Sequence, residues 1–236
     1  MRLKAGICGV GSFYSDAFAR AAMGHPQVEL VAYAHLDQDD EELRRQRRKS
    51  KLEWGQQYGL KAYSQVDEMV KSEELDLVFI ASPDNIKAEH AIKAADAGAH
   101  VYLAKPMCTA LHDADAMIEA AKRNKVLISA LMPARYDGAI RAMYDHVANG
   151  AVGRVLTVRA WIQHGCFSPD FVFEGSPEFG PGQGGIELSL GFYTADLILW
   201  VIDSRPIRAY EYARKPYQRS YIPQYVGATP KRSHNI

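Results

Sequence analysis

Apolar runs and helical patterns alternate through the first half of the chain. Leu3 to Cys8 predicts a strand, and Ser15 to Met23 a helix. Val28 to Ala34 is a second, nearly all-apolar strand, the pattern of a strand covered on both sheet faces. A long charged helix is expected from about Asp40 to Tyr58. Leu77-Val78-Phe79-Ile80 reads as a buried strand, followed by a helix from about Ile86 to Ala97. Ala97-Gly98-Ala99 stops that helix, and His100-Val101-Tyr102-Leu103 is the next strand. Leu111, Ala114, Ile118 and Ala121 recur at helical spacing on the following helix, and Val126-Leu127-Ile128 begins one more strand. Such β-α alternation predicts an α/β fold: a doubly wound parallel sheet with right-handed crossovers and ligands at the carboxyl ends of its strands.

The pattern changes near Ser129. A helix from about Gly138 to Asn149 stops at Asn149-Gly150. From Gly153 to His164 the residues alternate. Leu156, Val158, Ala160 and Ile162 form an apolar face opposite Thr157, Arg159, Trp161 and Gln163, which predicts a strand covered on one side. The Gly- and Pro-rich stretch from Ser168 to Gly185 reads as a long loop, a type that is often functional or mobile. A strongly apolar helix is expected from Ile186 to Ile202, and a strand from Ile207 to Ala213.

Composition narrows the class. The 236 residues are 47% hydrophobic and 24% charged, enough for an ordinary core. Lys and Arg balance Asp and Glu at 28 each, so no general attraction to nucleic acid or an anionic membrane is expected. No apolar run is long enough to span a bilayer, and the N-terminus lacks the features of a secretory signal. Three scattered cysteines argue against a disulfide framework and for a reduced, cytoplasmic location. His164 and Cys166 lie close together, but without a second ligand pair no metal site is expected.

The chemistry begins at Lys4-Ala5-Gly6-Ile7-Cys8-Gly9-Val10-Gly11-Ser12-Phe13-Tyr14, where an apolar run meets a glycine pair and a helical pattern follows at once. A first strand that turns into a helix in this way presents the helix N-terminus to a pyrophosphate. Gly9 and Gly11 let the backbone approach a phosphate, with Ser12 and Phe13 at the helix start. Tyr14 stands where the third glycine of G-x-G-x-x-G belongs, and an ordinary strand-helix turn is the alternative reading.

With Ala81-Ser82-Pro83 and Ala104-Lys105-Pro106 the chain resembles the glucose-fructose oxidoreductase / inositol dehydrogenase / MocA family. The likeness runs from residue 1 to about Ala213. It includes Gly6-x-x-Gly9-x-Gly11, Ser82-Pro83, Glu89-His90-Ala91, His100-Val101, Lys105-Pro106, Arg135-Tyr136, Gly150-Ala151-Val152-Gly153-Arg154 and Gly184-Gly185-x-x-x-Ser189-x-Gly191-x-Tyr193-x-x-Asp196. The resemblance implies a Rossmann domain over 1–128 and an α+β substrate and oligomerisation domain with an open sheet over 129–236. Family chains usually run about a hundred residues further, so that second domain is expected to be reduced or truncated. The implied activity is hydride transfer between NAD or NADP and a sugar-like or polyol hydroxyl or ketone. The implied assembly is a homo-oligomer in which a partner covers the 153–164 sheet.

The departures from the family pattern bear on the chemistry. Lys105 of the Lys-Pro motif is kept and would contact substrate and nicotinamide ribose, whereas the preceding Glu is Ala104. The family's catalytic Asp and His correspond to Ser189 and Tyr193, and Asp196 alone survives from that motif. Tyr193 could serve as acid/base if a nearby Lys105 ammonium favoured its phenolate. Ser189, Tyr193 and Asp196 would share one helix face as site wall or as hydrogen-bonded core residues. Tyr136 would lie near the substrate or pack between domains. Ser82 and Pro83 would lie beside the nicotinamide, with Asp84 where Asn is frequent and Lys87 where the family has His. The acidic residue that binds the adenosine ribose corresponds to His35, and Asp37 could take that role or cap the next helix. The basic run Arg44 to Lys49 pairs best with Asp39 to Glu42 as a solvated helix face. NAD is preferred, with NADP open. The other reading is a non-catalytic cofactor- or sugar-sensing regulator or partner subunit.

Overall fold

The computed structural model describes residues 2–10, 12–35, 50–162 and 187–210, with the backbone alone at Glu187 and Ser189. Six strands form one sheet: β1 (Leu3–Cys8), β2 (Val28–Ala34), β3 (Lys61–Tyr63), β4 (Leu77–Ile80), β5 (His100–Leu103) and β6 (Ile128–Ala130). Their order is β3-β2-β1-β4-β5-β6, and every neighbouring pair is parallel. This is the expected doubly wound sheet, and the order reverses between β1 and β4. Helices α1 (Phe13–Gly24), α2 (Lys51–Tyr58), α3 (Val66–Glu73), α4 (Lys87–Asp96) and α5 (Leu111–Asn124) connect the strands. A 3-10 turn (Pro133–Tyr136), α6 (Gly138–Ala148), a π-helical turn (Glu187–Gly191) and α7 (Phe192–Ile202) follow.

Strand alternation divides the core into two layers. Ala5, Ile7, Tyr33 and Phe79 face α1 and α2, where they meet Phe18, Ala19, Ala22 and Trp54. Cys8, Ala32, Ala34, Val78, Ile80, Val101 and Leu103 face α3, α4 and α5. Two glycines let helix and sheet come close. A Cβ on Gly55 of α2 would stand 2.2 Å from the Tyr33 ring, and one on Gly6 would stand 2.6 Å from Leu75. Trp54 Nε1 donates to Asp16 Oδ1 at 2.7 Å, which ties α2 to α1.

The strand ends are in register. Cys8 lies beside both Ala34 and Ile80, Ile80 beside Leu103, and Leu103 beside Ala130. The residue after each strand except β3 continues the ladder. Gly9 N–H donates to the Ala34 carbonyl, His35 to Tyr63, Ala81 to Cys8, Ala104 to Ile80 and Leu131 to Leu103, all at 2.8–2.9 Å. These bonds give an even carboxyl edge and fix where each following loop departs.

Several expectations are corrected. The charged helix from Asp40 to Tyr58 is not one helix. Ser50 has extended backbone and caps α2 through a capping box with Glu53, so the helix starts at Lys51. Strand β3 and helix α3 were not expected. On α5 the buried residues are Met117 and Ala120, whereas Leu111 is 86% and Ile118 45% exposed. Ala121 of the spaced set packs against the core beside Met117 and Ala120. Residues 153–162 form no strand, and Leu156 and Trp161 are 83% and 78% exposed. Residues 207–210 likewise form no strand. No strand of a second sheet lies among the described residues. Alternation describes a chain fit for a sheet face, but a strand also needs a neighbour to bond with. The helix expected from Ile186 is α-helical only from Phe192.

Gly55→Ala is expected to destabilise the fold by about 1–3 kcal/mol through overpacking against Tyr33. The drop in urea midpoint measures it. A midpoint equal to wild type would contradict this packing.

Candidate functional site

The site lies on the carboxyl edge where the strand order reverses, the usual ligand position in such sheets. Gly9 has φ +81°, and a Cβ there would stand 2.7 Å from Ser82 N and 2.8 Å from Ser82 Cα. The turn after β1 and the turn after β4 are therefore pressed together, and only glycine fits. Ser12 caps α1, accepting from Ser15 N–H at 3.2 Å, and its own hydroxyl donates to the Ala81 carbonyl at 3.5 Å. A helix start leaves N–H groups without intrahelical partners, so α1 directs donors at this edge. Phe13 is exposed there, and Tyr14 packs its ring against Phe18.

Ser82 is buried. Its Oγ lies 2.8 Å from His90 Nδ1 and 3.5 Å from Cys8 Sγ, so α4 holds the turn after β4. Burial pushes the His90 imidazole below its ordinary value of 6.5. Asp84 and Lys87 form a buried ion pair at 2.8 Å, and Lys87 Nζ also donates to the Pro106 carbonyl at 2.7 Å. Burial pushes the Asp84 carboxyl up, while the Lys87 and Lys105 ammoniums pull it back down.

Lys105 follows β5, is 7% exposed, and precedes a cis peptide to Pro106. Its Nζ lies 5.5 Å from the Tyr193 ring centre, 5.7 Å from Tyr14 and 5.8 Å from Phe192. Three aromatic faces at this range stabilise an ammonium. Lys105, after β5, and Tyr193, on α7, are thus neighbours. Asp196 is placed elsewhere: Arg135 grips both its oxygens, Nε at 2.9 Å and Nη2 at 2.5 Å. That pair ties the 3-10 turn to α7, and Trp200 adds a ring 5.3 Å from the Arg135 guanidinium carbon. Tyr136 is 79% exposed at the end of the same turn.

His35 lies at the end of β2, beside Tyr33. Gly11 and Asp37, like His164 and Cys166, lie outside the described residues, as does the side chain of Ser189. Ser189 falls in the π-helical turn, so it does not continue the regular face of Tyr193 and Asp196. Single π turns within helices are frequent at functional sites. Among the described residues no group of three or more His, Cys, Asp or Glu could hold a metal ion, and no helix is long and apolar enough to cross a membrane.

The geometry suits a dinucleotide: a left-handed glycine against Ser82, a capped helix start, and a lysine at the next strand end. The family model for an oxidoreductase family with an NAD-binding Rossmann fold, GFO_IDH_MocA, matches residues 3–131. The chain belongs to this family. It is 29% identical over 149 residues to 1,5-anhydro-D-fructose reductase of Ensifer adhaerens, covering 63% of this chain and 44% of that one. It is 29% identical over 131 residues to myo-inositol 2-dehydrogenase of Thermotoga maritima, covering 56% and 37%. The crystal structure of myo-inositol 2-dehydrogenase from Lactobacillus plantarum superposes with a TM-score of 0.68 at 25% identity, over 86% of this chain and 57% of that one. The chain spans less than half the length of the curated relatives it matches.

Sequence reasoning placed Gly9, Ser82 and Lys105 on this edge and noted Tyr14, Lys87 and His90 only as positions in the family pattern, without their contacts to Lys105, Asp84 and Ser82. For Lys87 a periodic signal exists. It shares the buried stripe of α4 with Ala91, Ala94 and Ala95.

Because His90 is held neutral by burial, the unfolded chain takes up a proton below about pH 6.5 that the fold resists. Stability is therefore expected to fall as pH drops from about 6.5 toward the lower folded-state value, and to lose this component in His90→Gln. Urea midpoints of both proteins between about pH 7.5 and 5 check it. Parallel curves would contradict the burial argument.

Proposed function

We propose that the protein is an NAD(P)-dependent oxidoreductase that moves a hydride between nicotinamide and a sugar-like or polyol hydroxyl or ketone. The observation that carries this reading is the shared edge of Gly9, Ser82 and Lys105, with Tyr193 over the lysine. The names of the similar proteins, an anhydrofructose reductase and inositol dehydrogenases, support the substrate class.

The bound nicotinamide would supply or accept the hydride. The chain's residues handle the rest. The Gly9 turn, Ser12 and Phe13 at the start of α1, and Ser82-Pro83 hold the nucleotide. Lys105 donates to the substrate oxygen and steadies its negative charge. In the oxidising direction, the substrate carbon loses a hydride and Tyr193 takes the hydroxyl proton. His35 and Asp37 flank the adenosine ribose, and NAD is the preferred cofactor. Tyr136 and Ser189 bound the substrate space. Asp196 reaches the substrate only through Arg135. The exposed Leu156, Trp161 and Ile162 suit contact with a second copy of the chain.

One observation favours a second reading, a non-catalytic sensor of cofactor or sugar: Arg135 already engages both Asp196 oxygens.

Titration with NADH and NADPH, read by tryptophan-to-nicotinamide energy transfer, tests the reading. NADH is expected to bind with a dissociation constant of micromolar order. Lys105→Ala is expected to cut polyol or sugar turnover by about a hundredfold or more while the fold persists. Failure of both nucleotides to bind the folded protein would overturn the proposal. Nucleotide binding without turnover on any polyol or sugar would transfer it to the sensor reading.

A further inference from the structure

Lys87 is out of place on its helix. It lies on the buried face of α4 with Ala88, Ala91, Ala94 and Ala95, and is 1% exposed. Burying an ammonium is costly unless it is paired and fully hydrogen-bonded, and an apolar side chain of similar length would fill the space without that cost. The two groups it binds, the Asp84 carboxylate and the Pro106 carbonyl, belong to the two segments that carry the site. Asp84 stands two residues after Ser82, and Pro106 directly follows Lys105.

The Asp84 carboxylate interacts with both the Lys87 and the Lys105 ammoniums and accepts a 2.8 Å hydrogen bond from Lys87. Asp84 is 6% exposed, so water screens these charges weakly. Among the described residues, the titratable and charged groups that face Lys105 include Tyr14 from α1, Asp84 from the β4–α4 segment, with Lys87 bonded to that carboxylate, and Tyr193 from α7.

We propose that Lys87 is a positioning residue for Lys105. By holding Asp84 and the Pro106 carbonyl in one buried bridge, it keeps the Asp84 carboxylate from closing on the Lys105 ammonium. Without Lys87, Lys105 becomes the cation that Asp84 draws in. Lys105 is then more basic and is withdrawn from the substrate oxygen. This inference rests on reading Lys105 as the site lysine of the proposed oxidoreductase.

The test compares Lys87→Met with wild type, and then adds Asp84→Asn to Lys87→Met. Competitive labelling with trace acetic anhydride at about pH 8, read by mass spectrometry of the Lys105 peptide, follows the neutral amine fraction. Lys105 acetylation is expected to slow roughly three- to tenfold in Lys87→Met and to return to within about twofold of wild type in the double variant. A merely structural role gives the opposite sign: a loosened segment exposes Lys105 and speeds acetylation, with no relief from Asp84→Asn. Faster or unchanged acetylation in Lys87→Met, or slowing that Asp84→Asn does not relieve, would overturn the proposal. Lys87→Gln, which keeps an amide donor without the charge, carries the same comparison where Lys87→Met does not fold. NADH binding measured on the same proteins separates the two readings. No binding even by wild type, with Lys105 reactivity following the expected pattern, overturns the oxidoreductase reading and leaves the positioning role standing.

Discussion

The contact between the turn after β1 and the turn after β4 governs the rest of the structure. Gly9 meets the Ser82 backbone with no room for a Cβ, at the point where the strand order reverses. That approach is possible because the strand ends are level and the residue after β1 and the residue after β4 each add one more ladder bond. It sets the start of α1, where Ser12 caps the helix, directly beside Ser82. One step along the edge, the same register brings Lys105 after β5. A glycine with the helix start that follows it, a serine and a lysine, from three distant parts of the sequence, thus meet because six short strands end together.

The site differs from a plain strand-end crevice in its buried charge. Lys87 and Asp84 sit in the interior, and a pair of this kind gives little net stability over apolar residues of the same volume. Its value lies in geometry, since it joins the loop after β4 to the loop after β5. His90 adds a second tie from α4 to Ser82. α4 therefore packs by its alanines and organises the site by the residues at its first turn.

The parallel sheet was legible because buried strands make continuous apolar runs, as in Val28 to Ala34 and Leu77 to Ile80. Lys61–Tyr63 is too short to make such a run, and its place depends on pairing with β2. The start of α2 was hidden in a charged stretch, although Ser50 and Glu53 carry a capping box. On α5, helical spacing gave the right element, yet of its spaced residues Leu111 and Ile118 are exposed while Met117 and Ala120 are the buried ones. Which stripe is buried depends on the neighbour, and the small residues of α4 admit Met117 and Ala120. The alternation over residues 153–162 says nothing of a partner strand. In the site, Gly9 was legible from its place at a strand end, and Lys105 from the Lys-Pro motif that resembles the family's. Lys87 was not, because a lysine on a helix ordinarily faces water, and only the tertiary contacts with Asp84 and Pro106 account for its burial.

Amide hydrogen exchange with and without NADH tests the central claim most directly, because it reports where on the chain the nucleotide sits. Slowed exchange confined to the segments around Gly9 to Tyr14, Ser82 to Asp84 and Lys105 is the result this account predicts. Unchanged exchange in those segments, with protection appearing elsewhere or nowhere, would contradict it.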